Sequence, residues 1–214
     1  MKTDDLIAAL AMDAPPVRPR ALTARLWLWA IPAALLAVLG VRFGLGGFRP
    51  DLAQAVGGMT FWMKAGYTGA LALAAGWLIV RLGRPGASAK WPAILVFGVF
   101  LAAIAMGVMN LMTTPASERM HVWLGHSWQV CTLNVVGLSV LTTPFLFWAA
   151  KQFAPTNPTL AGFATGLTAG ALAATLYGLY CMESTAAFVA TWYTLGVLAA
   201  GAAGAVIGRF WLRW

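Results

Sequence analysis

The chain has 214 residues, 61% hydrophobic and only 9% charged, with 14 Lys and Arg against 6 Asp and Glu for a formal charge of +8. Soluble domains are roughly a quarter charged, so this composition excludes an ordinary soluble fold and makes the bilayer the solvent for most of the chain. The basic residues punctuate the ends of apolar runs instead of clustering on one water-facing surface, which sets direct nucleic-acid binding aside.

Residues 1–25 form a polar tail that holds half of the acids, as Asp4, Asp5 and Asp13. Thr3 is placed to cap a short helix whose first turn carries Asp4 and Asp5, the charge sign favoured beside the positive end of a helix dipole, and Pro15 and Pro16 end it. Leu6, Ile7 and Leu10 share one face with Asp13, so a short cytoplasmic amphipathic helix is expected. Asp13 stands where a negative charge opposes the dipole, and a helix of about a dozen residues is marginal alone in water. Local stability therefore does not account for Asp13. Either the tail folds on a cytoplasmic protein partner, or it lies on the membrane with Arg18, Arg20 and Arg25 towards the lipid heads.

Six apolar spans follow, at 26–45, 59–82, 91–112, 127–150, 160–181 and 188–208, each near the ~20 residues that cross a bilayer. The expected architecture is all-α: a polytopic bundle of six transmembrane helices over 26–214, preceded by the tail. The first span reads as a retained helix, since its leader is long and acidic at the start and the span itself is rich in aromatics. Six crossings put both termini on one side. That side carries Lys2, Arg18, Arg20, Arg25, Arg81, Arg84, Lys90, Lys151, Arg209 and Arg213, whereas the other has Arg42, Arg49, Lys64 and Arg119. Cytoplasmic loops are the ones enriched in Lys and Arg, so the chain is expected in a bacterial inner membrane with both termini inside. The connections are short and leave no room for a catalytic domain. Gly162, Gly166 and Gly170, and again Gly201, Gly204 and Gly208, form small-residue stripes that suit close helix packing.

With this topology Cys131 begins the fourth span and Cys181 ends the fifth, so both thiols are expected at the outer face, near His121, His126, Trp128 and Glu183. Three readings stand open: a disulfide in an oxidising periplasm, a soft-metal site in which His126 or Glu183 joins the thiols, or two cysteines packed as small apolar residues. No cofactor is required; at most a transient heavy-metal ion would sit at Cys131 and Cys181. Haem ligation, a phosphate loop, a zinc-protease motif and a Ser/His/Asp set have no support, so the chain is not read as an enzyme. A small metal or solute transporter that uses the outer thiols as a capture site is the rival reading. Only Lys64 and Arg42 approach mid-bilayer, both near span ends where snorkelling to water is expected, and that speaks against a transport path.

The stretch Asp4-Asp5-Leu6-Ile7-Ala8-Ala9-Leu10-Ala11-Met12-Asp13, followed by Pro15-Pro16-Val17, resembles the start of the NrsF-type anti-sigma factors of proteobacteria. Gly125-His126-Ser127-Trp128-Gln129-Val130-Cys131, Tyr180-Cys181-Met182-Glu183-Ser184 and Phe188-Val189-Ala190-Thr191-Trp192-Tyr193 are similar to that family's segments around its two cysteines. The resemblance implies that the tail sequesters a cytoplasmic extracytoplasmic-function (ECF) sigma factor through Asp4, Asp5, Leu6, Ile7, Leu10 and Asp13. It also implies that Cys131 and Cys181 are a sensor pair for heavy-metal or oxidative stress. Where the family pattern has His and Pro beside the second cysteine, this chain has Tyr180 and Met182, which removes one histidine ligand.

Overall fold

A computed structural model describes residues 3–13, 19–84, 86–153 and 155–213, without the side chains of residues 10, 11, 13 and 19–22. Lys2, Pro15, Pro16 and Arg18 lie outside the described residues, as do the side chains of Leu10, Asp13 and Arg20. Every element among the described residues is helical: α1 (Thr3–Asp13), α2 (Pro19–Leu39), α3 (Leu52–Val56), α4 (Met59–Leu82), α5 (Lys90–Thr113), α6 (Arg119–Leu124), α7 (Trp128–Lys151), α8 (Pro158–Tyr177), α9 (Ala186–Phe188) and α10 (Thr194–Trp211). Two π-helical turns, Gly40–Gly44 after α2 and Val189–Tyr193 between α9 and α10, keep those helices continuous. Six helical stretches are long and apolar enough to cross a membrane: Thr23–Gly44, Met59–Leu82, Lys90–Thr113, Arg119–Lys151, Pro158–Tyr177 and Ala186–Trp211. The chain is thus an all-α, multi-pass membrane protein, as its apolar runs imply.

Helix α8 is the axis of the bundle, the most buried of the six, and packs on α4, α7 and α10. Lipid tails are as apolar as leucine, so helices gain little by hiding apolar area from them and associate through close contact instead. The two glycine stripes supply that contact. A Cβ added at Gly166 would lie 2.9 Å from Gly204 Cα, one added at Gly162 would lie 2.6 Å from Gly208 Cα, and one added at Gly204 would lie 2.7 Å from Gly166 Cα. Backbone therefore meets backbone, with no flexible side chain to give way. Helix α2 leans on α7, while α5 lies outermost against α4 and α9 and presents most of its surface to lipid.

The start of α8 has an explicit signal. The Asn157 side chain accepts a hydrogen bond from the Leu160 N–H (3.0 Å), and Pro158 takes the first helical position, where its missing donor costs nothing. Replacing Asn157 with alanine is expected to cost about 1 kcal/mol, read as a small fall in the thermal midpoint of the detergent-solubilised chain.

Hydrogen bonds sort the connections into two ends. At one end Arg84 donates to Thr23 (3.3 Å) and Arg25 to Gln152 (3.1 Å), which gathers the start of the first span with the connections after α4 and α7. At the other, the Arg49 N–H donates to the Leu179 carbonyl (3.0 Å) and Thr185 to the Val122 carbonyl (3.0 Å). That second end gathers the segments 45–58, 114–127 and 178–185, and it holds both cysteines.

Candidate functional site

Helix α8 stops at Tyr177, and the chain then tightens through a turn in which the Cys181 N–H donates to the Tyr177 carbonyl (2.9 Å). Cys181 therefore sits in the loop that follows the helix, and its chain direction is no longer set by the span. Cys131 lies in the first turn of α7, with its N–H bonded to the Ser127 carbonyl (2.9 Å). The two thiols are free and lie beside each other. Cys131 is 0% exposed and Cys181 3%, so neither belongs to the open surface.

Two tyrosines wall the sulfur pair, their rings 5.6 Å apart. The Tyr177 hydroxyl lies near the Cys131 thiol and accepts from the Asn134 amide (3.3 Å). The Tyr193 hydroxyl is fully buried beside the Cys181 sulfur. Tyr193 closes the π-helical turn, whose geometry frees backbone carbonyls that an α-helix would use; one of them, that of Trp192, accepts from Thr132 (3.1 Å).

Lys64 overturns the expectation of snorkelling. It is 4% exposed, and its ammonium points into the bundle, donating to the carbonyls of Cys181 (2.9 Å) and Glu183 (2.8 Å) while lying 5.5 Å from the centre of the Tyr193 ring. The reason is that the loop after α8 offers two carbonyls within the lysine's reach, and an ammonium bonded to them does not need water. Arg49 adds a second cation on the same loop, donating to the Cys181 carbonyl at 3.4 Å, while its other nitrogens form a two-pronged pair with Asp51 (2.7 Å each). That pair holds the Asp51 carboxyl below, and the Arg49 guanidinium above, its ordinary value. The Cys181 thiol is also held below its ordinary value. The neighbouring Cys131 thiol does most of this, helped by the Lys64 charge and opposed by burial.

His126 and Glu183, which share a cavity wall with Cys181, have contacts of their own. The Glu183 carboxylate accepts from the His126 backbone N–H (2.7 Å), while the His126 ring packs edge-on against His121 at 4.9 Å. His121 lies in α6. Among the described residues no three of His, Cys, Asp and Glu converge as a ligand set. Gly125 makes the Glu183 contact feasible: its φ is +56°, and a Cβ there would lie 2.8 Å from the Glu183 carboxyl carbon. A cavity of about 580 Å3 opens at this end of the bundle, lined by Arg49, His126, Tyr177, Tyr180, Cys181 and Glu183 among others.

In the tail, Asp4 and Asp5 occupy the first turn of α1, and Asp4, Asp5, Leu6 and Ile7 are all exposed. The two cysteines lie at one end, as the span order implies, while Tyr177, Tyr193 and Asn134 carry no mark in the sequence and Lys64 turns inward instead of outward. A lysine six residues into an otherwise apolar span was the one available signal.

Comparison with known proteins points one way. The family model described as negative regulator of sigma F matches residues 10–214. Among curated proteins, the chain is 44% identical to the anti-sigma-F factor NrsF of Caulobacter vibrioides and 38% identical to the probable anti-sigma-F factor NrsF of Azospira oryzae, in each case over the full length of both chains. No solved structure matches it significantly.

Proposed function

Because the chain belongs to the NrsF family of negative regulators of sigma F, we propose that it is a membrane-embedded anti-sigma factor whose N-terminal segment sequesters an ECF sigma factor in the cytoplasm. In this reading Asp4, Asp5, Leu6, Ile7, Leu10 and Asp13 form the binding face, and the Cys131–Cys181 pair on the periplasmic side senses oxidant or soft metal and triggers release. The observation that carries the sensing half is the contact between the only two cysteines of the chain, joined across α7 and the loop after α8. Two adjacent thiols suit disulfide formation or capture of a two-coordinate soft ion. The exposed apolar and acidic side chains of α1 support the binding half. Basic residues concentrate at the end opposite the cysteines, which supports a cytoplasmic placement of that end. The role is regulatory, not catalytic.

Residues 1–25, immobilised as a peptide, are expected to retain a sigma factor from a cytoplasmic extract. Asp13→Lys reverses a charge on the proposed face and should reduce retention at least about tenfold, since burying a mismatched charge at an interface costs more than 1.4 kcal/mol. Equal retention by both peptides removes Asp13 from the interface.

A further inference from the structure

Resting on the sensing role just proposed, we propose that the two cysteines have unequal tasks: Cys181 is the sulfur that a hydroperoxide-class oxidant attacks first, and Cys131 is the sulfur that closes the disulfide. Three observations separate them. Cys181 lines the 580 Å3 cavity at the polar end of the bundle, whereas Cys131 is fully enclosed by α7 and its neighbours and takes no part in the cavity wall. Positive charge is held beside Cys181: the Lys64 ammonium is anchored 2.9 Å from its carbonyl and the Arg49 guanidinium 3.4 Å from the same oxygen. Cys131 in turn lies beside Cys181, within the reach that the second reaction needs.

The chemistry balances in two steps. The Cys181 thiolate attacks one oxygen of hydrogen peroxide; an S–O bond forms, the O–O bond breaks, and the departing hydroxide takes a proton to leave as water. The sulfur has lost two electrons and is a sulfenic acid. The Cys131 sulfur then attacks the Cys181 sulfur; the S–S bond forms, the S–O bond breaks, and the hydroxide leaves as a second water with the proton that Cys131 gives up. A thiolate is the nucleophile in the first step, and the Lys64 charge held beside Cys181 favours that form.

The test uses the full-length chain in membranes, hydrogen peroxide as oxidant and a cyclic 1,3-dione that traps sulfenic acid, with adducts mapped by mass spectrometry. Cys131→Ala should accumulate adduct at Cys181, at least tenfold above the adduct at Cys131 in Cys181→Ala. In the unaltered chain, a dione concentration high enough to compete with Cys131 should place the adduct on Cys181, which removes any dependence on how the variants fold. Adduct on Cys131 in the unaltered chain, comparable adducts in the two variants, or a disulfide that forms with no trappable adduct on either sulfur overturns the order. None of these readouts involves transcription, so a wrong sulfur order is distinguishable from a wrong sensing role.

Discussion

A chain carrying both Cys131→Ser and Cys181→Ser is expected to repress the sigma-dependent promoter fully and to ignore oxidant, with the ratio of induced to basal reporter signal falling to about one. Serine keeps the size and the hydrogen-bonding capacity of each thiol, so the contacts with Tyr177, Tyr193 and the Lys64 loop lose little. What serine lacks is the ability to form the S–S bond or to bind a soft ion. Moving a sigma factor from 99% bound to 99% free requires about 5.5 kcal/mol of difference between two states of the bundle. The only source of that difference in this reading is the covalent or metal link between α7 and the loop after α8. Single serine variants should lose the response as completely as the double variant, since half a pair cannot close. A reporter that still responds in the double variant removes the thiols from the sensing path and leaves the tail as the sole functional element.

The second large effect falls on the bundle axis. Gly166→Leu should eliminate folded protein from the membrane and leave sigma-dependent transcription permanently high. A Cβ at residue 166 already meets the Gly204 backbone at 2.9 Å, and the leucine adds three further carbons to that contact. Overpacked cores usually lose about 1–3 kcal/mol because neighbouring side chains shift aside. Here the neighbour is backbone, so α8 and α10 must part along their length, and the cost should exceed that range. Gly98→Leu is the matched control: it adds the same side chain to α5, where nothing lies within 4 Å. Membrane yield and size-exclusion profile should be normal for Gly98→Leu and lost for Gly166→Leu. Equal behaviour of the two variants would mean that the glycine contact does not hold the bundle together.

The six spans were legible because the bilayer imposes a length on apolar runs, and a composition with 9% charge leaves few ways to place the ends. The placement of Cys131 and Cys181 at one end followed from parity alone, since the start of one span and the end of the next share a side. Glycine spacing showed close packing, although it did not say that the stripes on α8 and α10 face each other. Lys64 was misread for a physical reason: a lysine near a span end has a route to water along lipid, and the sequence carries no mark of which way α4 is turned. The tyrosines escaped for a similar reason. Tyr177 ends α8 and Tyr193 ends a π-helical turn, and the added residue of that turn re-aims the side chains beyond it in a way that apolar periodicity does not encode.

The buried ammonium also dictates an order of assembly. While the ribosome is still making α5 to α8, the carbonyls of residues 181 and 183 do not yet exist, and Lys64 has only water or lipid headgroups to satisfy it. The second span must wait with its first turns drawn towards the membrane boundary until the fifth has been threaded. A nascent chain interrupted before that point leaves this charge unmet at the lipid surface.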